Sequence, residues 1–391
     1  MVFNRTKNIN LSTIKKIELL AAKTPDVVSL AQGIPSFDTP ESIKQRVYQA
    51  IADGKVAKYS LCPGLPALRE VIEENLASEN MFYDFQTEII VTAGSIEGIT
   101  ATLLTILDPD DEVILFNPTY VSYAEAIKVA GGRPFYVALN ERNNWSLDTL
   151  YLKSAINKKT KAILICNPNN PTGTIFNKKQ LLQIAGLAEK HDLFILIDEV
   201  YKDFIFNKGS ESKIGAYFSL AQIPELRKRI VRFFSFSKAY AMTGWRVGYL
   251  HSDKSVASEI LKVHDNLVTC APVVSQYAAL AALEMGKENI NNFKNIYQER
   301  RDLVCHLLDK FSDFFSYKKP QATYFVFPKI LIKNIKSLDF AVGLIEKAKV
   351  AVVPGVAFGS GGEGHIRINF GRKEEDIIEG IRRIGEYLLR V

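Results

Sequence analysis

The feature that most constrains this chain is a series of short runs that are apolar at consecutive positions, each followed by an amphipathic stretch. The runs fall at residues 88–92 (EIIVT), 112–116 (EVILF), 134–139, 161–165 (KAILI), 193–197 (LFILI), 229–236 and 246–250. A strand with one wet face alternates polar and apolar residues. A strand apolar on both sides must be covered on both faces. Between the runs, apolar residues recur at helical spacing, as at Ile43, Val47, Ala50 and Ile51 after the helix-start signal Thr39-Pro40-Glu41. Helices are expected near 41–52, 66–78, 96–107, 118–130, with Gly131-Gly132 as its stop, and 178–191. Alternation of this kind specifies an α/β fold: a mostly parallel central sheet covered by helices.

After about Leu283 the grammar changes. A polar helical stretch leads to short strands near 324–327, 350–353 and 365–370, with helices at 338–347 and 374–389, which reads as a smaller α+β unit. The 391 residues are enough for two domains. The four cysteines, Cys62, Cys166, Cys270 and Cys305, lie far apart and form no C-x-x-C pair, which argues against a zinc site or a disulfide framework and for a reducing compartment. The N-terminal sequence has no apolar leader core, and no run reaches the length of a membrane span. A cytoplasmic location is the expectation. The net charge of +6 is spread along the chain. Its one dense basic run, Arg227-Lys228-Arg229, reads as a solvated helix end or loop and not as a nucleic-acid surface.

In a parallel sheet, ligands sit beyond the carboxyl ends of the strands, so the residues following each run are the candidates for chemistry. Gly94 and Ser95 open a helix, whose free N–H groups suit an anion. Residues 167–173 (NPNNPTG) hold Asn170 between two X–Pro steps, each of which restricts the residue before it. Asp198 ends a buried strand, where a carboxylate is costly unless it meets a cation or good donors. Tyr201 follows it by three residues. After the run at 229–236 come Ser237 and Lys238, preceded by Ser235 and followed by Arg246. Desolvation lowers a lysine's pKa, and a neutral amine can attack a carbonyl. Taken together these residues set an anion cradle, an acid, an amide, a phenol and a reactive amine along one sheet rim. That combination suits pyridoxal 5′-phosphate.

At these positions the chain resembles the class I/II aminotransferases, the aspartate-aminotransferase superfamily of fold-type I pyridoxal-phosphate enzymes, over essentially its whole length. Residues 235–246 (SFSKAYAMTGWR) look like the family's cofactor-lysine signature, and 167–173 and 198–201 (DEVY) match its other two hallmark segments in order and spacing. The resemblance implies a large cofactor-binding domain over residues 44–283 and a small domain built from 1–43 with 284–391. It implies that Lys238 carries the coenzyme as a Schiff base, that Asp198 keeps the pyridine nitrogen protonated, and that Asn170 and Tyr201 bond the ring's phenolic oxygen. The backbone at Ser95 and Ile96, with Ser235, Ser237 and Arg246, would hold the phosphate, and Tyr120 would stack on the ring. Tyr59 is similar to a tyrosine that enters the neighbouring subunit's site, which implies a homodimer. Arg367 (in HIRINF) would clamp the substrate α-carboxylate, with the backbone of Gly33 and Asn170 beside it.

Two positions depart from the family pattern. Ala322 stands where a glycine is frequent, and Ile96 stands where some aspartate-specific relatives carry a lysine. The glycine-rich run 359–364 (GSGGEG) lacks a strand–turn–helix phosphate context and reads as a flexible turn. The activity the resemblance implies is ping-pong transamination between an L-amino acid and a 2-oxo acid. A neutral, aromatic or sulfur amino acid with 2-oxoglutarate is expected ahead of aspartate, with no metal. Another fold-type I reaction, such as a C–S lyase, is the alternative.

Overall fold

The computed structural model describes residues 7, 9, 11–206 and 217–390. Part of the N-terminal stretch read for a leader, residues 1–6, 8 and 10, lies outside them. Seven strands form the central sheet, in spatial order Ile89–Thr92, Gly248–His251, Ile230–Ser235, Phe194–Asp198, Thr160–Cys166, Glu112–Asn117 and Arg133–Ala138. Five of the seven run parallel from Ile230–Ser235 outward. Gly248–His251 is antiparallel to both its neighbours. The expected fold class holds, with that one reversed strand.

Inner strands such as Phe194–Asp198 and Ile230–Ser235 are buried nearly throughout, as their mostly apolar sequence requires, and Arg232 within the second is buried in an ion pair with Glu199. The edge strand Arg133–Ala138 is mostly exposed, so its apolar run is not a sign of two covered faces. Helices Ser95–Ile106 and Lys178–Lys190 form where expected, the second opened by a capping box between Asn177 and Gln180. The expected helix 118–130 is corrected. It begins only at Ser122 and ends at Val129, which leaves Pro118–Tyr120 as a loop at the sheet rim. The strand expected from Arg246 starts at Gly248, because Arg246 has φ +52°, outside strand geometry.

The C-terminal region carries a three-stranded antiparallel sheet of Phe325–Val326, Ile366–Asn369 and Val353–Pro354, with helices Glu288–Asp309 and Glu374–Leu388. The N-terminal segment joins it. Val28–Ser29 pairs in parallel with Val350–Ala351, and the Asn369 N–H donates to the Leu30 carbonyl at 2.9 Å.

The glycine-rich run is also corrected. It is a tight, packed turn: a Cβ on Gly355 would lie 1.9 Å from the Gly362 carbonyl oxygen, and Asn117 is bonded to both Ser360 and Gly361. Arg227 is less solvated than expected, since its guanidinium lies 4.3 Å from the Tyr83 ring centroid and pairs with Glu88. Among the described residues, no helix is long and apolar enough to cross a membrane, and no cluster of His, Cys, Asp and Glu is placed to hold a metal.

Candidate active site

Five strands end at one cavity of about 330 Å³. The carboxyl ends of Ile89–Thr92, Glu112–Asn117, Thr160–Cys166, Phe194–Asp198 and Ile230–Ser235, with the residues just beyond them, supply in turn Ser95 and Ile96, Tyr120, Asn170, Asp198 with Tyr201, and Ser235, Ser237 and Lys238. Arg246, Gly33 and Arg367 complete the expected set. Tyr59 is not brought to the cavity of its own chain. It is 82% exposed, beside Val56, Lys58, Cys270 and Pro272 on another face.

Lys238 lies in the one-turn helix Phe236–Ala239 directly after its strand. Its Nζ donates to the Gly33 carbonyl at 2.8 Å and sits 5.9 Å from the Tyr201 ring centroid. Dehydration in the cavity, reinforced by the positive charges of Arg367 and Arg246, brings its pKa down to about 8. About a tenth of the amine is therefore neutral at pH 7, far more than for an ordinary lysine. Asp198 accepts from the Tyr123 hydroxyl at 2.7 Å and from the Val200 N–H at 3.2 Å. Burial raises its pKa to about 6, against the lowering effect of those two bonds and of Lys238. At neutral pH it is a buried carboxylate lining the same cavity as the amine.

Arg367 is 1% exposed. Its strand position left open whether it faced a cleft or solvent, and it faces the cavity. Nη1 donates to Asn170 Oδ1 at 3.1 Å and Nη2 to the Ala31 carbonyl at 2.7 Å, while Nε has no partner among the described residues. The rings of Phe325 and Phe358 lie 4.1 and 5.1 Å from the guanidinium carbon. Burial lowers its pKa to about 10, so it remains charged at neutral pH. Its hydrogen bonds go to neutral groups, and a buried cation held this way is costly unless an anion joins it. Asn170 is set by its loop. Neighbouring Asn169 donates to the Pro118 carbonyl and Thr172, and the Gly173 carbonyl accepts from the N–H groups of Gln321 and Ala322. Asn170 Nδ2 reaches the Tyr201 hydroxyl at 3.5 Å. Ala322, in place of the frequent glycine, is fully buried here with its N–H satisfied.

The anion cradle can be tested on its own geometry. Helix Ser95–Ile106 starts behind Gly94 with no side-chain cap, so its first N–H groups face the cavity free of an intrahelical partner. The Ser237 hydroxyl is buried without a partner among the described residues, although the nearby Ser235 hydroxyl accepts from the Ser237 N–H. Gly94 has φ +82°, and a Cβ there would stand 2.5 Å from Arg246 Nη2. Unsatisfied donors, an arginine and a helix N-terminus converging on one corner fit a phosphate monoester.

Sequence reasoning missed several residues that line the cavity or support those that do. Tyr123, three residues after Tyr120, bonds Asp198 directly, and Tyr324 donates to the Gly33 carbonyl at 3.0 Å. Asn369 bonds the carbonyls of Gln32 and Ile34 and so pins the Gly33 segment beside the cavity. Helix Thr13–Lys23 brings Ser12, Ile14, Lys15 and Glu18 to the rim. Tyr120 lies in the loop before helix Ser122–Val129, so helical spacing could not have paired it with Tyr123. These contacts depend on tertiary placement.

A sequence model of the family Aminotransferase class I and II matches residues 25–384. The aromatic-amino-acid aminotransferase 2 of Thermococcus litoralis is 36% identical, covering 98% of this chain and 97% of that protein. An aspartate aminotransferase of Pyrococcus abyssi matches at the same identity and coverage. Among solved structures, the aspartate aminotransferase of Thermotoga maritima superposes with a TM-score of 0.90 at 32% identity, over 99% of this chain and 100% of that one. The chain belongs to the class I and II aminotransferases, and it is an enzyme of the transferase class.

Proposed function

We propose that the chain is a pyridoxal-5′-phosphate-dependent transaminase that moves the amino group of an L-amino acid to a 2-oxo acid in two half-reactions. The observation that carries this is the convergence in one cavity of a lysine amine of lowered pKa, a buried carboxylate and a buried arginine that has no anionic partner among the described residues. Ser95, Ile96, Ser235, Ser237 and Arg246 would hold the phosphate, Tyr120 would lie against the ring, and Asn170 and Tyr201 would bond its phenolic oxygen. The bound coenzyme supplies an electron sink for the electron pair left when the substrate Cα loses its proton.

The protein's own residues do the rest. Asp198, ionised at neutral pH, would pair with the coenzyme's cationic ring nitrogen and keep it protonated. Arg367 grips the α-carboxylate as a two-donor fork, and Asn170, Phe325 and Phe358 hold that fork still. Fixing the carboxylate fixes the orientation of the bonds at Cα. Lys238 Nζ, once free, takes the proton from Cα as a base suited to neutral pH.

The division into residues 44–283 and 1–43 with 284–391 belongs to the same reading. So does a homodimer in which the exposed Tyr59 enters the neighbouring site. Tyr48, Ile51 and Leu61 are exposed apolar residues close to Tyr59 in sequence, which supports a covered face there. Neutral, aromatic or sulfur amino acids are favoured as donors because Ile14, Ile34 and Ile96 line the cavity. The relatives' names support aromatic and aspartate substrates alike. A panel of amino acids with 2-oxoglutarate, scored for glutamate formation, tests the proposal. Pyruvate and ammonia released from a sulfur amino acid without glutamate would point to the lyase instead.

A further inference from the structure

A transaminase with an uncharged donor and 2-oxoglutarate as acceptor must seat both in one cavity, although only the acceptor carries a distal carboxylate. The charged side chains lining this cavity are Lys15, Glu18, Asp198, Lys238, Arg246 and Arg367. The function proposed above uses the last four. Lys15 and Glu18 are left, and they face each other: Lys15 Nζ meets Glu18 Oε2 at 2.6 Å, one turn apart on helix Thr13–Lys23.

The helix under this pair is fixed. Ile14 and Ile17 are buried, and the Ser12 side chain accepts from the Lys15 N–H at the helix start. The two side chains differ in freedom. Glu18 is 17% exposed and Lys15 is 65% exposed. The negative charge of Glu18 also acts on Arg367, which places the pair within the field of the carboxylate clamp. A half-exposed ion pair is weak and exchanges readily for another carboxylate.

We infer that Lys15 and Glu18 form a switchable ion pair that lets one cavity take both substrates. Closed, the pair presents no net charge to an uncharged side chain lying among Ile14, Ile34 and Ile96. Opened, Lys15 turns from Glu18 to the distal carboxylate of a five-carbon dicarboxylate. This rests on the transaminase reading and adds to it the residue that selects the acceptor.

The test is equilibrium binding of unreactive ligands to the coenzyme-loaded protein by calorimetry. Glutarate carries the second carboxylate, and pentanoate, of equal chain length, lacks it. The wild type should favour glutarate at least fivefold, with the preference shrinking as salt rises. Lys15→Met should abolish or invert that ratio, because Glu18 then stands unpaired against the incoming charge. Glu18→Gln should increase the ratio by removing Lys15's rival partner. Lys23→Met, in the last turn of the same helix, should keep the wild-type ratio and controls for net charge. A wild type without preference, or a Lys15→Met ratio equal to wild type, overturns the inference. Because these ligands cannot react, failure here is distinct from failure of the amino-transfer assay.

Discussion

Replacing Asp198 with asparagine should make the coenzyme-free protein gain stability relative to wild type as pH rises. In the wild type, burial holds the carboxyl's pKa at about 6, against an ordinary value of 3.8. A carboxyl whose folded pKa is raised favours the folded state while protonated, and that contribution is lost as pH rises through the folded value. The window therefore opens near pH 4 and closes just above pH 6. The gap between the two pKa values corresponds to about 3 kcal/mol at pH 8, of which about 1.6 kcal/mol is already lost at pH 5. Asparagine does not titrate, so Asp198→Asn should gain about 1.4 kcal/mol on wild type between pH 5 and pH 8. Any constant penalty for the buried amide cancels in that difference. For a chain of this length the change amounts to a melting shift of about 2 °C, measured by scanning calorimetry of the coenzyme-free protein at both pH values. With pyridoxal phosphate added the order should reverse, since the carboxylate then has a cationic partner that asparagine cannot match. Melting curves that move in parallel from pH 5 to pH 8 would refute the assignment of Asp198 as a dehydrated, titrating carboxyl.

Other substitutions test other parts of the site. Tyr123→Phe removes a 2.7 Å bond to the Asp198 carboxylate and should push its pKa above 6; the acidic limb of the pH–rate profile should move to higher pH, whereas an unmoved limb would detach Tyr123 from the chemistry. Gly94→Ala sets a Cβ against Arg246 at a positive φ. It should weaken pyridoxal phosphate binding by about tenfold or more, read by fluorescence titration, and wild-type affinity would remove Arg246 from the cradle. Arg367→Met should lower kcat/KM for every amino acid by about a hundredfold or more, with the coenzyme's affinity little changed. Loss confined to dicarboxylic substrates would move Arg367 from the α-carboxylate to the distal one.

Much of this site was legible because strand ends are legible. The runs ending at Cys166, Asp198 and Ser235 are predominantly apolar, with Arg232 buried against Glu199 as an exception, so their ends locate the sheet rim, where Asp198 stands and Asn170 and Lys238 follow. Arg367 was harder, since alternation along its strand says only that it opposes Ile366 and Ile368. Its placement in the cavity comes from the packing of Phe325, Phe358 and Asn170 around it. Lys15 and Glu18 read locally as an ordinary i,i+3 pair on an amphipathic helix. Nothing in the sequence says that this helix borders the cavity, because its position follows from burial of Ile14 and Ile17 against distant parts of the chain. The glycine run at 359–364 misled for a related reason. Local composition suggests looseness, but here glycine allows backbone to pack on backbone at Gly355 and Gly362.

The most direct test of the whole account is chemical trapping at the amine. Purified protein is mixed with pyridoxal phosphate, treated with borohydride and digested, and the modified peptide is located by mass spectrometry. A single stable adduct on Lys238 is the expected result. An adduct on a different lysine, or none while the protein is folded, would contradict it.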